Sequence, residues 1–95
     1  MAIDVPDDAT EGLLELRDAL AVELRDSDQL VLNAGRVQRV STASLQILLG
    51  AIRAAEQRGM PTRWEAASPV LIEAAACLGL GTALKLPIEA RGAKD

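Results

Sequence analysis

Residues 30–49 read LVLNAGRVQRVSTASLQILL and carry the most informative structural pattern of the chain. A brief apolar run at 29–32 predicts a buried central strand. Residues 33–36 break that run, and 37–40 predict an extended connection under the edge of a sheet. The hydroxyl cluster at 41–44 offers several helix N-caps. The stretch therefore predicts a strand that leads, through a short connection, into a helix.

The predicted helix is amphipathic, and Gly59 ends it because the position after a helix often requires a positive φ. Its apolar face carries Leu45, Leu48, Leu49 and Ile52, and its polar face carries Gln46, Arg53 and Gln57. A second strand is predicted over 61–66, and Ser68 with Pro69 predicts the start of a further helix. The apolar face of that helix carries Leu71, Ile72, Ala75 and Leu78, and Gly79 ends it.

The two ends of the chain extend the same alternation. Residues 2–5 predict an edge strand, and Asp8 with Glu11 has the spacing of a capping box. The helix after it runs to about Asp26. Its apolar face carries Leu13, Leu16, Leu20 and Leu24. Residues 82–86 predict a weak strand or a single turn.

Helices that separate strands predict an α/β fold. We expect a small mixed or parallel β-sheet with the helices packed mainly on one side. A single domain is expected over 1–87, followed by a frayed tail at 88–95.

The composition excludes several classes of function. The 95 residues include no His, one Cys and a single aromatic residue, with a net charge of −4. His-based catalysis and Cys/His zinc sites are therefore excluded, and an enzyme, a metal and a cofactor are not expected. An acidic chain without aromatic platforms is a poor nucleic-acid binder. No stretch predicts a signal peptide or membrane insertion, so we expect a cytoplasmic protein.

Two further side chains have structural interpretations. Cys77 lies beside the predicted apolar face of the third helix, which favours a buried, inert thiol. Trp64 alternates with Thr62 and Ala66 on one side of a predicted strand, which favours packing over partner contact.

The pattern as a whole resembles the STAS domain family (sulfate transporter and anti-sigma factor antagonist). That family has a buried strand, a short connection and an Asp-Ser/Thr-x-Gly-Leu motif that opens a helix. Here 30–33 and 37–49 match those parts, with Ser41-Thr42-Ala43-Ser44-Leu45 at the motif. Gly59, 64–69 and 77–80 follow at the family's spacing. The resemblance covers about Leu13 to Leu86 and implies the STAS fold.

The resemblance places Thr42 at the position that is phosphorylated in anti-sigma factor antagonists, ahead of Ser41 and Ser44 as candidates. Asn33 and Ser41 occupy positions that are usually Asp, and Ser44 occupies a position that is usually Gly. The implied partner-binding residues are Asn33, Ser41, Thr42, Ser44, Gln46 and Arg53.

The family implies a non-catalytic bacterial protein of signal transduction that acts by protein–protein binding. Its expected partner is an anti-sigma factor or a related kinase with an ATPase fold. The motif at Thr42 also resembles STAS proteins associated with chemotaxis operons. The alternative is an accessory STAS subunit of a lipid-transport ABC system, docked on its ATPase.

Overall fold

The computed structural model describes residues 2–86, which form short strands alternating with three helices. The strands are β1 (Ile3–Asp4), β2 (Asp8–Ala9), β3 (Leu30–Ala34), β4 (Arg39–Val40) and β5 (Thr62–Ala67). The helices are α1 (Leu13–Asp26), α2 (Thr42–Gln57) and α3 (Pro69–Cys77). The predicted α/β class is confirmed. The expected tail at 88–95 lies outside the described residues.

The main sheet has the strand order β1-β3-β5, and both of its ladders are parallel. β3 extends two residues beyond its prediction, because Ala34 is fully buried and pairs with Ala67 of β5. The register between these strands shifts at Leu32/Asn33.

A second parallel ladder joins β2 to β4. The prediction of a plain extended connection over 37–40 was therefore incomplete, because Arg39 and Val40 pair with Asp8 and Ala9. A ladder this short has no sequence periodicity of its own, so only the folded chain reveals it.

α1 and α2 pack against each other on one face of the main sheet. The connections β1-α1-β3 and β3-α2-β5 each step one strand in the same direction. Right-handed crossovers that step in one direction place their helices on the same face. The core between helices and sheet consists of aliphatic side chains. Its fully buried large members include Leu20, Leu30, Leu32, Leu45, Leu48, Ile52, Leu71 and Leu84.

The start of α1 differs from the predicted capping box. The N-cap is Gly12, with φ 64° and no side-chain cap, so Asp8 and Glu11 do not bracket the helix. Asp8 is instead held in β2, where its carboxylate accepts hydrogen bonds from the hydroxyl and the backbone N–H of Thr10. These two bonds lower the pKa of Asp8 below its ordinary value, with a smaller contribution from Arg39.

α3 begins as predicted, with the Ser68 hydroxyl accepting from the Leu71 N–H and Pro69 in the first turn. Two predictions at its other end were wrong, because Leu78 is 50% exposed and Cys77 is also exposed. Leu78 is the C-cap of α3 and still donates its N–H to the Ala74 carbonyl, so its exposure marks the uncovered end of the helix. Nearly every residue of α3 is apolar, and its periodicity could not indicate the outward side.

Residues 81–85 form a turn that closes the core over β5. Leu84 is fully buried there, and its carbonyl accepts a 2.8 Å hydrogen bond from the indole Nε1 of Trp64. Lys85 adopts φ 58° and forms a 3.0 Å ion pair with Glu56 of α2. Trp64 therefore packs and anchors within the fold, as its sequence pattern favoured.

Candidate functional site

The N-terminus of α2 is closed by a reciprocal pair of serines. The Ser44 N–H donates to Oγ of Ser41 at 3.2 Å, and the Ser41 N–H donates to Oγ of Ser44 at 3.0 Å. The Ser44 hydroxyl donates in turn to the Ser41 carbonyl at 2.8 Å. This is a capping box in which Ser occupies the position that Glu or Gln usually fills. Both hydroxyls are therefore engaged in capping the N-terminus of α2.

Thr42 lies between these serines and differs from both. It is the first residue of α2, its side chain is exposed, and its hydroxyl makes no hydrogen bond within residues 2–86. Ser44 is fully buried, so it can meet a partner or a kinase only after local opening. The structure thus divides the three candidate hydroxyls into two that cap the helix and one that is free.

Thr42 begins an exposed stripe along α2. Gln46 and Arg53 follow it four and eleven residues later, which places all three on one side of the helix. The structure therefore brings together three of the predicted partner-binding residues. Asn33 is not part of this stripe, because it lies in β3 near the carboxyl end of the strand, where its Oδ1 accepts from the Gly35 N–H at 3.1 Å.

Asn33 lines a separate cleft of about 320 Å³ at the carboxyl ends of β1 and β3. Its other lining residues are Asp4, Val5, Pro6, Asp7 and Arg36. The charges of this cleft are mixed. Residues 2–86 contain no cluster of three or more His, Cys, Asp or Glu side chains that could hold a metal ion.

A groove between α1 and α2 is a feature that sequence reasoning missed. It has a volume of about 270 Å³ and lies beside the stripe, sharing Gln46 with it. Its lining residues are Arg17, Leu20, Ala21, Leu24, Gln46, Ile47, Gly50 and Ala51. The available signal was small side chains, Ala21, Gly50 and Ala51, on two helices predicted to be neighbours.

Single substitutions test which of the three hydroxyls stabilise the start of α2. We expect Ser41→Ala to lower the free energy of unfolding by about 0.5–2 kcal/mol, because a helix N-cap is lost. Ser44→Ala should cost about 1 kcal/mol, since the Ser41 N–H loses its partner. In the double variant the losses should not add, with a coupling of at least about 0.5 kcal/mol. Urea unfolding followed by far-UV circular dichroism measures all three.

The matched control is Thr42→Ala, which removes the free hydroxyl from the same turn. It should change the free energy of unfolding by less than about 0.5 kcal/mol. A cost for Thr42→Ala as large as that for Ser41→Ala would contradict this division of roles.

A family model described as "Mlab, STAS domain" matches residues 9–87, most of the chain. No curated protein and no solved structure matches the chain. Within residues 2–86, no helix is both long enough and apolar enough to cross a membrane.

Proposed function

The chain belongs to the STAS domain family, and from that premise we propose that it is a non-catalytic signalling domain that acts by regulated protein–protein binding. In this proposal Thr42 is the phosphorylated switch residue, as the resemblance to anti-sigma factor antagonists implies. The partner is a protein such as an anti-sigma factor or a kinase with an ATPase fold, and the setting is bacterial and cytoplasmic. Chemotaxis-associated STAS proteins offer a similar precedent.

The accessibility of Thr42 is the observation that carries the proposal. Of the three hydroxyls at the start of α2, the Thr42 hydroxyl alone has no hydrogen bond within residues 2–86 and is exposed to a modifying enzyme. A phosphoryl group there would leave the Ser41–Ser44 capping box intact. The chain could therefore carry the modification without losing the helix.

Electrostatics supports a phosphoryl group at this position. The first N–H groups of a helix and the positive end of its dipole favour an added anion. The group adds about −2 charges at an exposed point. Those charges would oppose docking against an acidic or apolar partner surface, while the free hydroxyl would permit it. The modification would thus act on binding rather than on folding.

The test compares two substitutions at Thr42. We expect Thr42→Glu to bind the partner that copurifies with the wild-type chain about ten- to a hundredfold more weakly than Thr42→Ala does. This corresponds to a coupling free energy of about 1–3 kcal/mol. Isothermal titration calorimetry with the isolated partner measures the difference.

The matched control is Thr82→Glu, which adds the same charge at an exposed threonine in the C-terminal turn. It should leave the affinity unchanged. Equal affinities for Thr42→Glu and Thr42→Ala would remove the electrostatic switch.

A second candidate function is permanent docking on the ATPase of a lipid-transport ABC system. Two neutral side chains at family positions that are usually acidic favour it. Ser41 and Asn33 occupy positions that are usually Asp in the family, and the Ser41 hydroxyl caps the helix. No carboxylate therefore adjoins Thr42 in sequence to assist its phosphorylation.

Intact-mass analysis of the tagged chain, isolated from its source cells with phosphatase inhibitors, distinguishes the two functions. A phosphoryl group mapped to Thr42 in a fraction that lacks the partner supports the switch. An unmodified chain carrying a transporter ATPase supports permanent docking.

A further inference from the structure

Gly50 is an exposed glycine in the interior of α2, on the rim of the α1–α2 groove. A Cβ atom built there would meet nothing within 4 Å, and the backbone of Gly50 does not have a positive φ. Neither the backbone nor the packing of the described residues therefore requires a glycine. Glycine also weakens a helix interior relative to alanine. A partner that approaches this rim closely would account for a glycine at position 50.

The floor and walls of the groove are mostly apolar. Leu20, Leu24 and Ile47 line it together with small side chains, and Gln46 and Arg17 supply its polar groups. Leu20 is nearly fully buried, so the groove continues the core outward rather than interrupting it. Such a surface is suited to a few apolar side chains projected from one face of a helix.

The charge around the groove is positive although the chain carries −4 overall. Arg17 lines it, Arg53 lies on the exposed side of α2, and the Arg58 guanidinium donates to the Leu24 carbonyl at one end. The exposed stripe of α2, formed by Thr42, Gln46 and Arg53, contains no carboxylate, and neither do the exposed positions Gly50 and Gln57.

Among the described residues, Arg17, Arg53 and Arg58 form no ion pair with a carboxylate. Asp18 follows Arg17 in sequence, but one residue further along a helix lies about 100° round its axis. Glu56 pairs with Lys85, and Asp26 pairs with Arg25. The arginines at the groove are thus available to carboxylates from outside.

We propose that the α1–α2 groove binds an acidic amphipathic helix of a partner protein. The helix would place apolar side chains between Ala21 and Gly50 and carboxylates beside Arg17 and Arg53. The inference rests on the proposed function, in that it names the chemistry of the partner, but it does not depend on phosphorylation of Thr42.

The test uses two designed peptide probes and the full chain labelled with ¹⁵N. Both peptides are about 20 residues long, enough to form a helix, and share leucines at helical spacing. One peptide carries Glu at the positions on either side of its leucine face, and the other carries Lys at the same positions. We expect the Glu peptide to shift the amide resonances of Ala21, Gln46, Gly50 and Ala51 with a Kd below about 1 mM. The Lys peptide should bind at least tenfold more weakly.

Substitutions at the groove separate shape from charge. Gly50→Gln places a neutral, helix-favouring side chain on the rim and should weaken binding of the Glu peptide at least tenfold, whereas Gly50→Ala should have a smaller effect. Arg17→Glu with Arg53→Glu should reverse the preference toward the Lys peptide. The control is Arg63→Glu, at an exposed position on β5, which should leave both affinities unchanged.

Resonance shifts outside the groove, equal binding of both peptides, or full affinity in Gly50→Gln would each overturn the proposal. Measuring the binding of the copurified partner to Thr42→Glu and Thr42→Ala alongside the peptide titration tests the groove and the phosphorylation switch separately. If the peptide fails but the copurified partner still distinguishes these two variants, the groove is wrong and the switch stands. If the peptide binds and the partner does not distinguish them, the switch is wrong and the groove stands.

Discussion

Leu48→Ala is expected to lower the free energy of unfolding by about 2–5 kcal/mol. Leu48 is fully buried in the middle of α2, and neighbouring aliphatic side chains cannot fill the cavity completely. A domain of this size has about 5–15 kcal/mol of stability in total, so the loss is a large part of it. Urea unfolding followed by Trp64 fluorescence measures it, because Trp64 is the single aromatic residue of the chain. The midpoint should fall while the slope of the transition stays constant.

The matched control is Leu14→Ala, the same substitution on α1 at a side chain that is 64% exposed. It should change the free energy of unfolding by about 0.5 kcal/mol or less. Similar losses for the two variants would show that α2 does not pack against the sheet as described.

Trp64→Ala is expected to cost about 3 kcal/mol, because two contributions to stability are lost together. The indole packs against the core from β5, and its Nε1 donates to the Leu84 carbonyl. Without it the turn at 81–85 loses its tie to the sheet, and the burial of Leu84 weakens. Far-UV circular dichroism follows the unfolding, since the variant has no fluorescent probe.

Trp64→Phe separates these two contributions. It keeps an aromatic ring in place and removes the hydrogen-bond donor, so it should cost about 1 kcal/mol. If Trp64→Phe were as damaging as Trp64→Ala, the hydrogen bond would matter more than the packing. If neither had an effect, the turn would not depend on Trp64.

The elements with strong local patterns could be predicted from sequence. The apolar face of α2 was visible in the spacing of Leu45, Leu48, Leu49 and Ile52, all of which are buried. The start of α3 at Ser68 and the positive φ of Gly59 followed from local backbone rules. The β2–β4 ladder did not, because two-residue strands are determined by tertiary contacts rather than by periodicity.

The start of α1 shows a different limit. Asp8 and Glu11 have capping-box spacing, but Asp8 is drawn into β2 by its pairing and by Thr10. The chain then needs a left-handed turn to enter the helix, and Gly12 provides it. A competing tertiary contact therefore displaced a favourable local motif.

The candidate site was located by sequence but not resolved by it. Ser41, Thr42 and Ser44 were all visible as hydroxyls at a helix start, and only the folded geometry distinguishes the two caps from the free threonine. The α1–α2 groove depends on how two helices cross. That relation is set by packing across the sheet and has no local signal in either helix.

The ladders β1–β3 and β2–β4 have a consequence for how the chain is made. Both join the same two segments, 3–9 and 32–40, which run side by side although α1 separates them in sequence. During translation the first segment leaves the ribosome well before the second, and it has no backbone partner until then. Parallel pairings of this kind close late, because the intervening chain must first be ordered. The segment 3–9, which lies beside the chain that leads into α2, can therefore pair only after residues 32–40 have been synthesised.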